Sequence, residues 1–201
     1  QQIILDHVRK KNCWLLADEV YHRIVYQGNA SSSFLSLSEP EDKLLVVNSS
    51  SKSFNMTGWR VGWITHPEYL GEHIAKLVQI STTGVPEFIQ KGFIEALKNH
   101  EFLVEDVMKN LHVSRDFVYN KMKHWSKLKI YKPESAFYFF FKAYDSKDSI
   151  SFCKNLVKKT QVGLAPGIAF GKTGDNFLRL CFAADVKFLE NILNRLEEEF
   201  N

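Results

Sequence analysis

A lysine set in a run of serines is the arrangement in this chain best suited to chemistry. In NSSSKSFNMTGWRVGW, Asn48 to Trp63, Lys52 follows Ser49, Ser50 and Ser51, and Arg60 comes eight residues later. A nucleophilic lysine has to shed its proton near neutral pH, which burial or a neighbouring cation promotes. Arg60 could be that cation. A guanidinium fork together with serine hydroxyls and backbone N–H groups is also what a phosphate needs. Asp18 ends a second apolar run, CWLLAD. In open α/β sheets ligands bind beyond the carboxyl ends of the strands, so Asp18 and Lys52 can share one site. Taken singly, Asp18 reads as a loop or helix cap and Lys52 as a solvated surface group.

Such residues need strands that end side by side. CWLLADEVY and KLLVVNSSSK read as strands buried on both faces, as in a parallel sheet, with WRVGWITHP as a third. An amphipathic helix precedes them, with Ile4, Leu5 and Val8 on one stripe, and YQGNASSSFLSLSEPED is a turn-rich loop. Pro67 opens a helix that pauses at TTGVP and resumes to about Trp125, with a break near Asn99 to Glu101. Beyond Ser126 the texture changes to strand, turn, strand in KLKIYKPESAFYFFFKAY. A helix, a Gly-rich loop between strands and a closing helix capped by Asp185 follow. The predicted boundary lies near residue 110, giving units of 1–110 and 111–201.

Composition excludes several classes. A net charge of +3, with scattered basic residues, does not suit nucleic acid. No stretch approaches the roughly 20 apolar residues that span a bilayer, and no signal peptide is visible. Cys13, Cys153 and Cys181 are an odd, widely spaced set, which reads as buried thiols in a reducing compartment. The expectation is a soluble cytoplasmic protein. The histidines show no ligand spacing, so no metal is expected. Trp14, Trp59, Trp63, Trp125 and the aromatics from Phe137 to Phe141 read as core. GIAFGKT looks like a phosphate loop, but Gly167 and Gly171 enclose three residues where a P-loop has four.

A lysine nucleophile beside a phosphate cradle and facing a carboxylate suggests a Schiff base with pyridoxal 5'-phosphate. LADEVYHRIVY and SSSKSFNMTGWRVGW resemble the signature segments of the fold-type I, pyridoxal-phosphate-dependent aminotransferases, classes I and II. PESAFYFF resembles that family's Pro-x-Gly-Ala-Phe-Tyr strand, with Ser135 where glycine is usual. LAPGIAFGKTGDNFLRLCFA resembles its Pro-Gly-x-x-Phe-Gly loop and the Arg-Leu strand after it.

The resemblance implies an α/β fold: the C-terminal part of the large cofactor-binding domain, with a mostly parallel sheet, then a small α+β domain. It implies transfer of an amino group between an L-amino acid and a 2-oxo acid, within a homodimer. Lys52 would hold the cofactor and shuttle the proton, Asp18 would pair with the pyridinium nitrogen, and Tyr21 would donate to the phenolic oxygen. Arg60 would hold the phosphate with Ser49, Ser50 and Ser51 remaining open as its partner, Ser49 favoured. Arg179 would grip the substrate carboxylate. The family's phosphate-loop glycine, ring-stacking aromatic and Asn-Pro-x-Asn-Pro-Thr-Gly-like segment do not occur in this sequence, so the chain is expected to be the C-terminal half of such an enzyme. Two alternatives keep the cofactor: β-elimination by a carbon–sulfur lyase, and a non-catalytic regulatory domain.

Overall fold

Helix α1 (Gln2–Lys11) ends where Asn12 turns left-handed, at φ 52°, and returns its N–H to the last turn. Arg9, Lys10 and Lys11 occupy that turn, where cations complement the carbonyl end of the helix. Arg9 reaches out to grip Asp42 with two hydrogen bonds, of 2.7 and 2.6 Å. The protein is described by a computed structural model covering residues 1–201. It divides into two units, Gln1–Val107 and Met108–Asn201.

The first unit is built on a three-stranded sheet of β1 (Leu15–Asp18), β2 (Leu44–Ser49) and β3 (Gly62–Thr65), in that order. β1 and β2 are parallel and β3 runs antiparallel to β2. Ala17, Leu44 and Val46 are buried on one face, packed with Leu15 and Phe34. The expectation of burial on both faces is corrected: Leu16 is 64% exposed and Ile64 43%. Within this chain only one face of the sheet has enough apolar cover. A one-turn helix, α2 (Ser50–Ser53), leaves β2, and α3 (Gly71–Thr82) follows the turn after Pro67 without burying any residue. α4 (Glu87–Lys98) and α5 (His100–Met122) meet at Asn99, at the break expected from sequence. Phe93 and Ala96 of α4 form a second small core with Met56 and Val61.

The second unit has a four-stranded sheet of β4 (Leu128–Lys129), β5 (Tyr138–Ala143), β6 (Ala165–Pro166) and β7 (Phe177–Cys181). The order is β4-β5-β7-β6 and every pairing is antiparallel. Alternation along β5 and β7 buries Phe139, Phe141, Leu178 and Leu180 on one face. Core residues also come from α6 (Ser149–Thr160), with Cys153 and Leu156, and from α7 (Val186–Phe200), with Leu189, Leu193, Leu196 and Phe200. Phe200 stacks on Trp125 and meets Phe141 edge-on. Asp148 and Asp185 cap α6 and α7, accepting from the N–H groups of Ser151 and Phe188.

Two further expectations are corrected. Trp125 is core, but Trp14, Trp59 and Trp63 are exposed, and so is Phe140 on the outward face of β5. Of the cysteines only Cys153 is buried, and burial pushes its thiol up, leaving it a packing residue. Cys13 and Cys181 lie at the surface because they fall at a helix end and on an outward strand position.

Candidate active site

The ends of β1 and β2 are brought level by their register. Asp18 pairs with Val47, and the Glu19 N–H extends the ladder by donating to Val47 O at 2.9 Å. Ala17 and Val46, paired with each other, face the buried cluster. By alternation Asp18, Val47 and Ser49 therefore share the opposite face. Asp18 is exposed, and its Oδ1 accepts from the Val20 N–H at 3.3 Å. That contact leads into a turn in which His22 N–H donates to Glu19 O and Ile24 N–H to Tyr21 O. Tyr21 is thus set three residues beyond Asp18 in a closed turn, half-buried.

At the end of β2 the three serines separate into different roles. Ser49 leaves the strand in an extended conformation and caps α2, its Oγ accepting from the Ser51 N–H at 3.1 Å. The Ser49 hydroxyl donates to Ser51 Oγ at 3.0 Å and also reaches Val61 O at 3.3 Å. Ser50 is fully buried and its hydroxyl donates to Val61 O at 2.9 Å, so it is spent on holding β3's approach to β2. Lys52 sits in α2, half-buried, one turn after Ser49. Arg60 precedes β3 in a left-handed conformation (φ 54°), braced by its Nη1 donating to Thr57 O at 2.8 Å. Since Ser49 pairs with Gly62, Arg60 stands at the same end of the sheet as Ser49.

Ser49, Ser51 and Arg60 line one cleft of about 440 Å³, whose apolar wall comes from Ile74 and Val78 of α3. Two hydroxyls and a guanidinium form a donor set suited to a phosphate or another oxyanion. A larger cleft, of about 630 Å³, lies at the other end of the strands. Glu39, Glu41, Asp42 and Glu68 on its rim make it unsuitable for an anion, so the smaller cleft is the one the chemistry favours.

Arg179 lies in the second unit, at the centre of β7 and on the outward face of its sheet. Its Cζ is 4.4 Å from the ring centroid of Tyr138 and 4.4 Å from that of Phe170. Neither ring stands out in the sequence as part of a site. Tyr138 falls within the aromatic run read as core, although strand alternation from the buried Phe139 and Phe141 points it outward. The backbone turns left-handed at Ala136 (φ 56°), one residue after Ser135.

Known proteins resemble this chain over nearly its whole length. The family described as aminotransferase class I and II matches residues 2–196. The aspartate aminotransferase of Thermotoga maritima is 34% identical over 194 residues, covering 96% of this chain and 49% of that protein. The aromatic-amino-acid aminotransferase 2 of Thermococcus litoralis is 30% identical, covering 97% of this chain and 51% of that protein. Among solved structures, the aromatic aminotransferase of Pyrococcus horikoshii superposes with a TM-score of 0.90 at 31% identity, over 98% of this chain and 54% of its own. This chain belongs to the class I and II aminotransferases, a family with the fold-type I architecture that uses pyridoxal phosphate. The chain spans about half the length of the relatives it matches.

Proposed function

We propose that this chain is the C-terminal half of a pyridoxal-phosphate-dependent aminotransferase, which moves an amino group between an L-amino acid and a 2-oxo acid. Residues 1–110 would complete the cofactor-binding domain and residues 111–201 form the small domain. The observation that supports this reading is that Asp18, Ser49, Lys52 and Arg60 all lie at one end of the three-stranded sheet.

The donor set at that end fits the cofactor. Arg60 would hold its phosphate with Ser49 and Ser51, which line the cleft beside it, whereas Ser50 is fully buried against Val61 O. Asp18 would hold the proton on the ring nitrogen, and Tyr21 would donate to the phenolic oxygen. Lys52 would anchor the aldehyde carbon through a Schiff base. The bound cofactor supplies an electron-withdrawing ring that makes the Cα–H bond of an amino acid acidic. Lys52 Nζ, held within one helical turn of the phosphate cradle, would take the proton from Cα and return it. Arg179 would receive the substrate carboxylate as a planar fork, fixing which bond to Cα is exposed to the base. The relatives named for aspartate and for aromatic amino acids support an amino acid donor without fixing its side chain. A homodimer in the cytoplasm completes the proposal, on the family resemblance and on cysteines that form no disulfide.

Borohydride reduction of the full-length protein with pyridoxal phosphate, followed by peptide mapping, tests the assignment. The label is expected on Lys52 alone; a label spread over surface lysines, or no label, overturns it. Lys52→Ala is expected to reduce transamination to background while the protein still takes up cofactor through its phosphate contacts.

A further inference from the structure

The two rings against Arg179 come from opposite flanks of its strand. Tyr138 belongs to β5 and Phe170 ends the turn that leaves β6, while β7 lies between those two strands. The Arg179 backbone is pinned on both sides, by pairing with Phe140 and with Ala165. Its half-buried guanidinium lies over both rings, at 4.4 Å from each centroid.

Phe170 is itself held in place. Phe140 meets it edge-on at 5.7 Å and stacks on Phe177 at 5.0 Å. The turn carrying Phe170 is fixed by a relay in which Asp175 Oδ1 accepts from the Ser149 N–H and hydroxyl at 3.0 and 2.8 Å. Ser149 Oγ in turn accepts from the Ile168 N–H at 3.3 Å. These contacts order an aromatic ring that is 49% exposed.

We infer that Tyr138 and Phe170 are positioning residues that hold the guanidinium of Arg179 by its two faces, leaving the edge with its paired N–H donors open to a carboxylate. Aromatic faces attract a cation without consuming its hydrogen bonds, so the fork stays oriented and unspent. Their apolar surface also lowers the local dielectric, which strengthens the charge-assisted bond when an anion arrives. Neither ring has to touch the carboxylate. The inference rests on the carboxylate-binding reading of Arg179 and adds to it the means by which that side chain is preorganised.

The test uses the full-length holoenzyme and calorimetric binding of two unreactive carboxylates, succinate and 3-phenylpropionate, so that no turnover is needed. Phe170→Leu and Tyr138→Leu keep apolar bulk but remove the ring, and each is expected to weaken the better-bound carboxylate by about tenfold with an unchanged melting temperature. The ring-retaining Phe170→Tyr and Tyr138→Phe are expected to recover most of that loss. Arg179→Lys separates the two levels of the argument. If it weakens binding while the leucine variants do not, or if the ring-retaining variants lose as much as the leucine ones, the clamp is overturned and the carboxylate role survives. If Arg179→Lys binds as well as the parent, or the parent binds neither carboxylate, both fall.

Discussion

Asp42 is the residue whose ionisation bears most directly on the stability of the first unit. The Arg9 guanidinium, and then the Glu39 N–H, hold its carboxyl below the usual carboxylate range against the opposing effect of burial. A lowered folded value means that the stabilisation is complete above the ordinary aspartate range, about pH 4, and is lost as the pH falls through the lower folded value. The first unit is therefore expected to melt at lower temperature as the pH drops below about 4. Asp42→Asn should lower the melting temperature at pH 7 and flatten that acid dependence; a variant with the parental profile would show that another carboxylate is responsible. At this scale the sequence revealed the types of residue at the site but not how their valences are used. Ser49, Ser50 and Ser51 are indistinguishable in a string, and only the return of β3 shows that the Ser50 hydroxyl is taken by Val61 O. Likewise nothing in the spacing of Arg179, Tyr138 and Phe170 announces that they meet, because strand order β5-β7-β6 is a property of the folded sheet.

Helices were more legible than strands. Asp148 and Asp185 announce the starts of α6 and α7, and the 3.6-residue apolar repeat of α7 leads directly to its buried Leu189, Leu193 and Leu196. Two substitutions test what these features contribute. Asp185→Ala removes the cap on Phe188 N–H and is expected to destabilise the second unit by about 1 kcal/mol in chemical denaturation. Leu193→Ala, at a position with no exposed surface, is expected to destabilise it by about 2–5 kcal/mol. A loss under about 0.5 kcal/mol in the second case would contradict the packing described for α7. The strands of the first unit were harder to read, since an apolar run such as LLVVN states a capacity for burial and not which face finds cover. β6, only two residues long, carries no periodicity at all.

Across the molecule the two units differ in how much core they own. Of the twelve largest fully buried side chains, Leu5 and Ile24 belong to Gln1–Val107 and the other ten to Met108–Asn201. Amide hydrogen exchange should accordingly be slowest in β5, β7 and α7 and fastest in β3 and α3. Slower exchange in α3 than in α7 would refute that order. The first unit also presents Leu16, Leu77, Ile80, Phe88 and Phe102 to solvent, from 64% to 85% exposed. Exposed apolar side chains of this kind promote association, so residues 1–201 on their own should sediment with a concentration-dependent mass that falls when Leu77 and Ile80 are replaced by serine. The loop beside Arg179 depends on a tighter condition. The backbone at Gly167 passes so near that at Gly174 that a Cβ on the first would run into the carbonyl oxygens of Gly174 and Phe177, and one on the second into that of Gly167. Randomising both codons and selecting for soluble product should therefore return glycine at each. Mutational tolerance would vanish at two sites that carry no functional group, and a deep-scanning map would mark them as strongly as any catalytic residue.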